Sequence, residues 1–101
     1  MRNLKTVAQA KENIRRLQIY VDLAQNFQPK NLEEQILKEY AYLGNIVKVA
    51  KKVNEMGFLL NGSPIEKEDV SEIIRSKGTN DLHRILRTGY MKKTRASRRK
   101  Y

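Results

Sequence analysis

LEEQILKEYAYLGNIVKVAKKVNEMGFLLNGSPIEKEDVSEIIRS, residues 32–76, is the stretch that decides the fold. Asn31 stands before it and Glu34 follows three residues later, the spacing of a capping box. Ile36, Leu37, Tyr40 and Leu43 then recur as the buried stripe of a helix. Gly44 stops that helix, because glycine accepts the left-handed conformation a helix end requires. Asn45 caps again, and residues 46–56 are predicted to form a further helix with Ile46, Val49, Ala50 and Val53 inward, closed by Gly57. Phe58-Leu59-Leu60 leads into Asn61-Gly62-Ser63-Pro64, a loop or small hairpin, since Asn-Gly is the dipeptide of a type I′ turn. Ser63 and Glu66 have capping-box spacing and Pro64 suits a first helical turn. The next helix is therefore predicted from about 64 or 66 to 76, with Val70, Ile73 and Ile74 as its apolar face and Gly78 as its stop.

The flanks extend the same pattern. Residues 4 to about 26 hold no Gly or Pro, and Val7, Ala10, Ile14, Leu17, Val21 and Ala24 fall at alternating spacings of three and four. Such a seam either packs on the protein's own core or pairs two copies as a coiled coil, with Val7, Ile14, Leu17 and Val21 at the dimer interface. Pro29 breaks the helix. A short last helix is predicted over 80–88, with Leu82, Ile85 and Leu86 apolar. From Met91 onward no apolar face remains, and a disordered tail is expected. The expected fold class is all-α: a small helix-turn-helix bundle of four to five helices with a disordered basic C-terminal tail. Its divisions are residues 1–28, 31–90 and 91–101.

The chain has 101 residues, room for one core. It has no cysteine, so neither a disulfide framework nor a thiolate metal site can be drawn, which suits a reducing cytoplasm. No stretch is apolar enough to span a bilayer and the polar N-terminus does not read as a signal peptide, so a cytoplasmic protein is expected. Net charge is +10. Residues 75–101 carry ten basic side chains against the single acid Asp81, which leaves only +1 for the rest of the chain. Charge gathered at one end points to a polyanionic partner: nucleic acid first, an acidic membrane surface second.

Little else in the sequence suggests chemistry. His83 is the single histidine, has no ligand-spaced partners and reads as a surface or edge residue. Tyr40 and Tyr42 read as core or core-edge aromatics. Ser63 and Ser71 lie in no nucleophile motif, and Gly57 and Gly62 are not spaced as a phosphate-binding loop. The expectation is a protein that is not an enzyme and needs no cofactor or metal.

The run Ile36-Leu37-Lys38-Glu39-Tyr40, Gly44-Asn45-Ile46, then residues 49–58, Gly62-Ser63-Pro64-Ile65 and residues 69–75 resembles a homeodomain-like helix-turn-helix. More narrowly, it is similar to the part of large serine recombinases where a leucine-asparagine-x-x-glycine phrase precedes a glycine-containing loop and a valine-x-x-isoleucine-leucine helix. The recombinase catalytic domain is absent, and about 40 residues carry the likeness. The resemblance implies a DNA-binding module whose recognition helix is 66–76. Lys67, Ser71, Arg75 and Lys77 are then expected on its outward side.

Glu66, Glu68, Asp69 and Glu72 make that helix acidic, which opposes phosphate approach. Either the acids cap the helix or face solvent, or the main contacts come from Lys48, Lys51, Lys52 and the C-terminus. Arg84 and Arg87 extend the same surface. Lys92, Lys93, Arg95, Arg98, Arg99 and Lys100 form an arm suited to phosphates. The expected function is duplex DNA binding, as a transcriptional regulator or accessory DNA-organising factor of phage or bacterial style. The alternatives are an RNA- or ribosome-associated basic protein and an inhibitor that acts through protein–protein contact.

Overall fold

Side-chain caps fix where the helices begin. Thr6 and Gln9 cap reciprocally, Thr6 Oγ1 accepting from the Gln9 N–H at 3.1 Å and Gln9 Oε1 from the Thr6 N–H at 2.9 Å. Asn31, Asn45 and Asn80 each accept from the N–H three residues on, at 2.9, 3.0 and 2.8 Å. These contacts satisfy donors that a helix start leaves unpaired. The computed structural model describes residues 6–95. They form α1 (Val7–Asn26), α2 (Leu32–Leu43), α3 (Ile46–Glu55), α4 (Lys67–Arg75) and α5 (Asp81–Lys93). No strand occurs among the described residues, only one antiparallel bridge between Leu60 and Ser63. The all-α helical bundle expected from the sequence is the fold observed.

Several boundaries differ from the sequence-based expectation. Thr6 has extended backbone and caps α1, which begins at Val7. The start of α4 is not a Ser63–Glu66 capping box. Ser63 is held in the hairpin by two backbone bonds with Leu60, at 2.9 and 3.0 Å, and Ile65 is pinned by Asn54, so the chain is free to coil only from Glu66. Asp69 Oδ2 then accepts from the Glu66 N–H at 2.8 Å. Gly78 does not stop α4. The helix closes at Ser76, whose hydroxyl donates to the Ile73 carbonyl at 2.6 Å. Gly78 instead lets α5 approach, since a Cβ there would lie 2.7 Å from Arg84 Cγ.

The largest difference is at the end of α5, which runs five residues past Thr88 to Lys93, into the segment expected to be tail. Tyr90 explains it. Its ring is buried and meets Tyr40 edge-on, centroids 5.9 Å apart, and its hydroxyl bonds to that of Ser71 at 2.7 Å. Of the expected tail, residues 96–101 lie outside the described residues.

The core joins Ile36, Leu37 and Tyr40 of α2 to Val49, Ala50 and Val53 of α3, to Val70 and Ile74 of α4, and to Leu82, Leu86 and Tyr90 of α5. Leu43 and Tyr42, expected in the core or at its edge, are exposed: Tyr42 lies on the far side of α2, and Leu43 is its last residue. His83 is no surface residue. It is 4% exposed, with Nε2 3.1 Å from the Ile73 carbonyl and 3.3 Å from that of Ile74, to which an N–H there donates. Arg87 Nε adds a bond to the Arg75 carbonyl at 2.9 Å. Side chains of α5 thus add hydrogen bonds to the carbonyls at the end of α4. Lys38 does the same for α1, donating to the Ala24 and Phe27 carbonyls at 3.1 and 2.7 Å.

Only the second half of α1 is docked. Tyr20, Leu23, Ala24 and Phe27 meet the core, whereas Val7, Ile14, Leu17 and Val21 are exposed. The radius of gyration is 15.5 Å, against about 13 Å for a compact chain of this length.

Candidate nucleic-acid interface

A tight turn joins α2 to α3. Gly44 takes φ +64°, and its N–H donates to the Tyr40 carbonyl at 2.9 Å. Asn45 caps α3 one residue later. Only two residues, Gly44 and Asn45, separate the two helices. Val49, Ala50 and Val53 bury one side of α3. Lys48, Lys51, Lys52 and Glu55 are all exposed, and their three- and four-residue spacing sets them on one outward face. Among the described residues none of the three lysines forms an ion pair.

The basic end of α5 arrives at the same place. Lys93 Nζ donates to the Gly44 carbonyl at 3.1 Å, a contact between residues 49 apart in sequence. Lys92 and Arg95 are exposed beside it in the chain. Two basic groups, distant in the sequence, are brought to the two sides of one turn. Arg98, Arg99 and Lys100 lie outside the described residues.

The fourth helix is arranged differently from the outward basic face expected of it. Lys67 and Arg75 are exposed, but Ser71 between them is half-buried with its hydroxyl on Tyr90, so it faces α5 and not solvent. Asp69 caps the helix, as one of the two sequence-level explanations of its acidity required. Yet Asp69 and Glu72 also line an open groove of about 470 Å³ together with Glu33, Asn31 and Asn61. Such a surface repels phosphate. Lys77 is exposed just beyond α4. Arg84 pairs with Asp81 at 3.1 Å on the surface, a contact worth little in water. Arg87 is half-buried and occupied by the Arg75 carbonyl. The structure thus ties Lys93 to the turn before α3, leaves Lys48, Lys51 and Lys52 exposed on α3, and sets Ser71 and Arg87 to internal tasks.

Asn54 is a residue whose part the sequence did not reveal. It occupies the asparagine of the asparagine-x-x-glycine phrase, and it bridges both backbone groups of Ile65: Nδ2 donates to the carbonyl and Oδ1 accepts from the N–H, each at 2.8 Å. That phrase therefore has a structural purpose here, fastening the hairpin to α3. Tyr90 is a second such residue, although it continues the four-residue spacing of Leu82 and Leu86 and so leaves a trace in the sequence.

Among the described residues no group of three or more His, Cys, Asp or Glu side chains is placed to hold a metal ion, and no helix is long and apolar enough to cross a membrane. Comparison of the chain with family models, curated proteins and solved structures finds no match to any of them.

Proposed function

We propose that the protein binds duplex DNA, with α3 set against a groove and the basic end of α5 on the flanking phosphates. The observation that carries this is the Lys93–Gly44 contact, because it adds the positive end of the chain to the turn from which α3 and its three lysines project. A short helix supported by another across a glycine turn is a form that enters a major groove. The lysines supply affinity without sequence information, since phosphate contacts position and base contacts specify. The resemblance of residues 36–75 to a helix-turn-helix module agrees in class, but the geometry favours α3 over α4 as the helix next to DNA. The protein then acts by binding alone, in the cytoplasm, as a transcriptional regulator or an accessory DNA-organising factor.

Fluorescence anisotropy with a labelled duplex across a salt series tests this. Replacing Lys48, Lys51 and Lys52 together by Gln should flatten the dependence of log affinity on log salt by about 2 to 3 units, as three released phosphate contacts require. Replacing Lys67 and Arg75 should change it less. An unchanged slope in the triple-lysine chain would overturn the assignment of α3. Tighter binding to structured RNA than to duplex DNA would replace DNA by RNA as the partner.

A further inference from the structure

Half of α1 carries an apolar seam that the described residues leave uncovered. Val7, Ile14 and Leu17 are 73%, 66% and 63% exposed, and Val21 is 40% exposed. Of the seam, only Ala24 is buried against the body. A helix held by its own core does not need large aliphatic residues at these positions, and several along one line are unlike scattered surface hydrophobes. The seam continues sideways onto Ile85 of α5, 40% exposed, across an open groove that Leu17 and Tyr20 share with Leu86 and Tyr90.

The identity of the residues says what covers it. Written as heptads, Val7, Ile14 and Val21 fall at the a positions and Ala10, Leu17 and Ala24 at d. β-branched side chains at a with leucine at d favour two parallel strands, because the branched side chain packs well in the a layer of that geometry. The charges keep clear of the seam. Glu12, Arg15, Arg16 and Asp22 fall at outer heptad positions, and Glu12 pairs with Arg15 at 2.6 Å and Arg16 at 3.1 Å along the helix. Lys11 is the only charged residue of α1 at a position flanking the seam, so two parallel copies place no like charges across it. There is also room. The face of α1 that meets the body, marked by Tyr20, Leu23 and Phe27, is about a third of a turn around the helix from the seam.

We propose that α1 pairs with α1 of a second copy of this chain, in parallel, along Val7, Ile14, Leu17 and Val21. This goes beyond the DNA-binding proposal and does not rest on it. The paired length is shorter than the three to four heptads of a self-sufficient coiled coil, so the association is concentration-dependent. Sedimentation equilibrium over a range of loadings should show monomer passing to twice the monomer mass. Ile14→Glu should abolish the shift, with helical content and urea midpoint at low concentration unchanged, since Ile14 touches little in the single chain. The chain contains no cysteine, so Val7→Cys introduces one thiol. Oxidation should join two copies through it if the helices run in parallel. A monomer at every loading overturns the proposal. So does a dimer that survives Ile14→Glu, or one that Val7→Cys fails to cross-link.

Discussion

Asn54→Ala is a direct test of how α3 is tied to the hairpin. The substitution removes two hydrogen bonds of 2.8 Å and leaves the N–H and the carbonyl of Ile65 without the partner they have. Ile65 is itself buried, 3% exposed. Each lost bond is worth about 1 kcal/mol net, and a backbone group left unpaired inside costs about 1–3 kcal/mol. Asn54 is only half-buried, so water reaches part of the site. The expected loss is about 2–4 kcal/mol, a large part of the stability of a domain this size. Urea unfolding followed by helical circular dichroism should give a lower midpoint at unchanged slope, and the melting temperature should fall by about 8 °C or more. Asn54→Asp separates the two bonds. It keeps the acceptor for the Ile65 N–H but turns a carboxylate oxygen toward the Ile65 carbonyl, and its loss should shrink in acid, where a protonated carboxyl donates again. If Asn54→Ala unfolds within about 0.5 kcal/mol of the parent chain, the bridge does not fasten the hairpin.

Two more predictions concern the tyrosines. Ser71→Ala and Tyr90→Phe each break the same 2.7 Å hydroxyl contact, so each should cost about 1 kcal/mol. Their double variant should fall short of the sum, and strictly additive losses in a double-mutant cycle would show that the contact stabilises nothing. Burial raises the hydroxyls of Tyr20 and Tyr40 above their ordinary pKa of 10.0. A group raised in the folded state supplies stability that is complete below its unfolded pKa and is lost as pH climbs through the raised value. The urea midpoint should therefore drop above about pH 10, less steeply in Tyr20→Phe, and a midpoint flat through that range would refute the burial argument.

Much of the architecture is local and so could be read from the chain. Asn31, Asn45 and Asn80 cap because a short side-chain acceptor reaches an N–H three residues ahead whatever surrounds it. Gly44 ends α2, and Asn61-Gly62 turns the hairpin with φ of +51° and +80°, because few other residues accept positive φ. The apolar spacing in α2, α3 and α4 likewise set which faces are buried, with Val49, Val53, Val70 and Ile74 all inside.

Positions settled by contacts between distant segments were not legible. His83 reads as a surface residue in the sequence, which does not say that the carbonyls of Ile73 and Ile74 come to its ring. Ser71 was set on an outward face because helical spacing gives an angle around an axis, not what lies beyond it, and Tyr90 lies there. The length of α5 depended on Tyr40 and Gly44, which meet Tyr90 and Lys93 across half the chain. For the same reason composition located positive charge at the C-terminal end, but only the packing of α5 carried it to the turn before α3. The seam of α1 was visible as a seam from its spacing alone. That Val7, Ile14 and Leu17 stay exposed among the described residues was decided by the tertiary structure, because α1 turns a different side to the body it rests on.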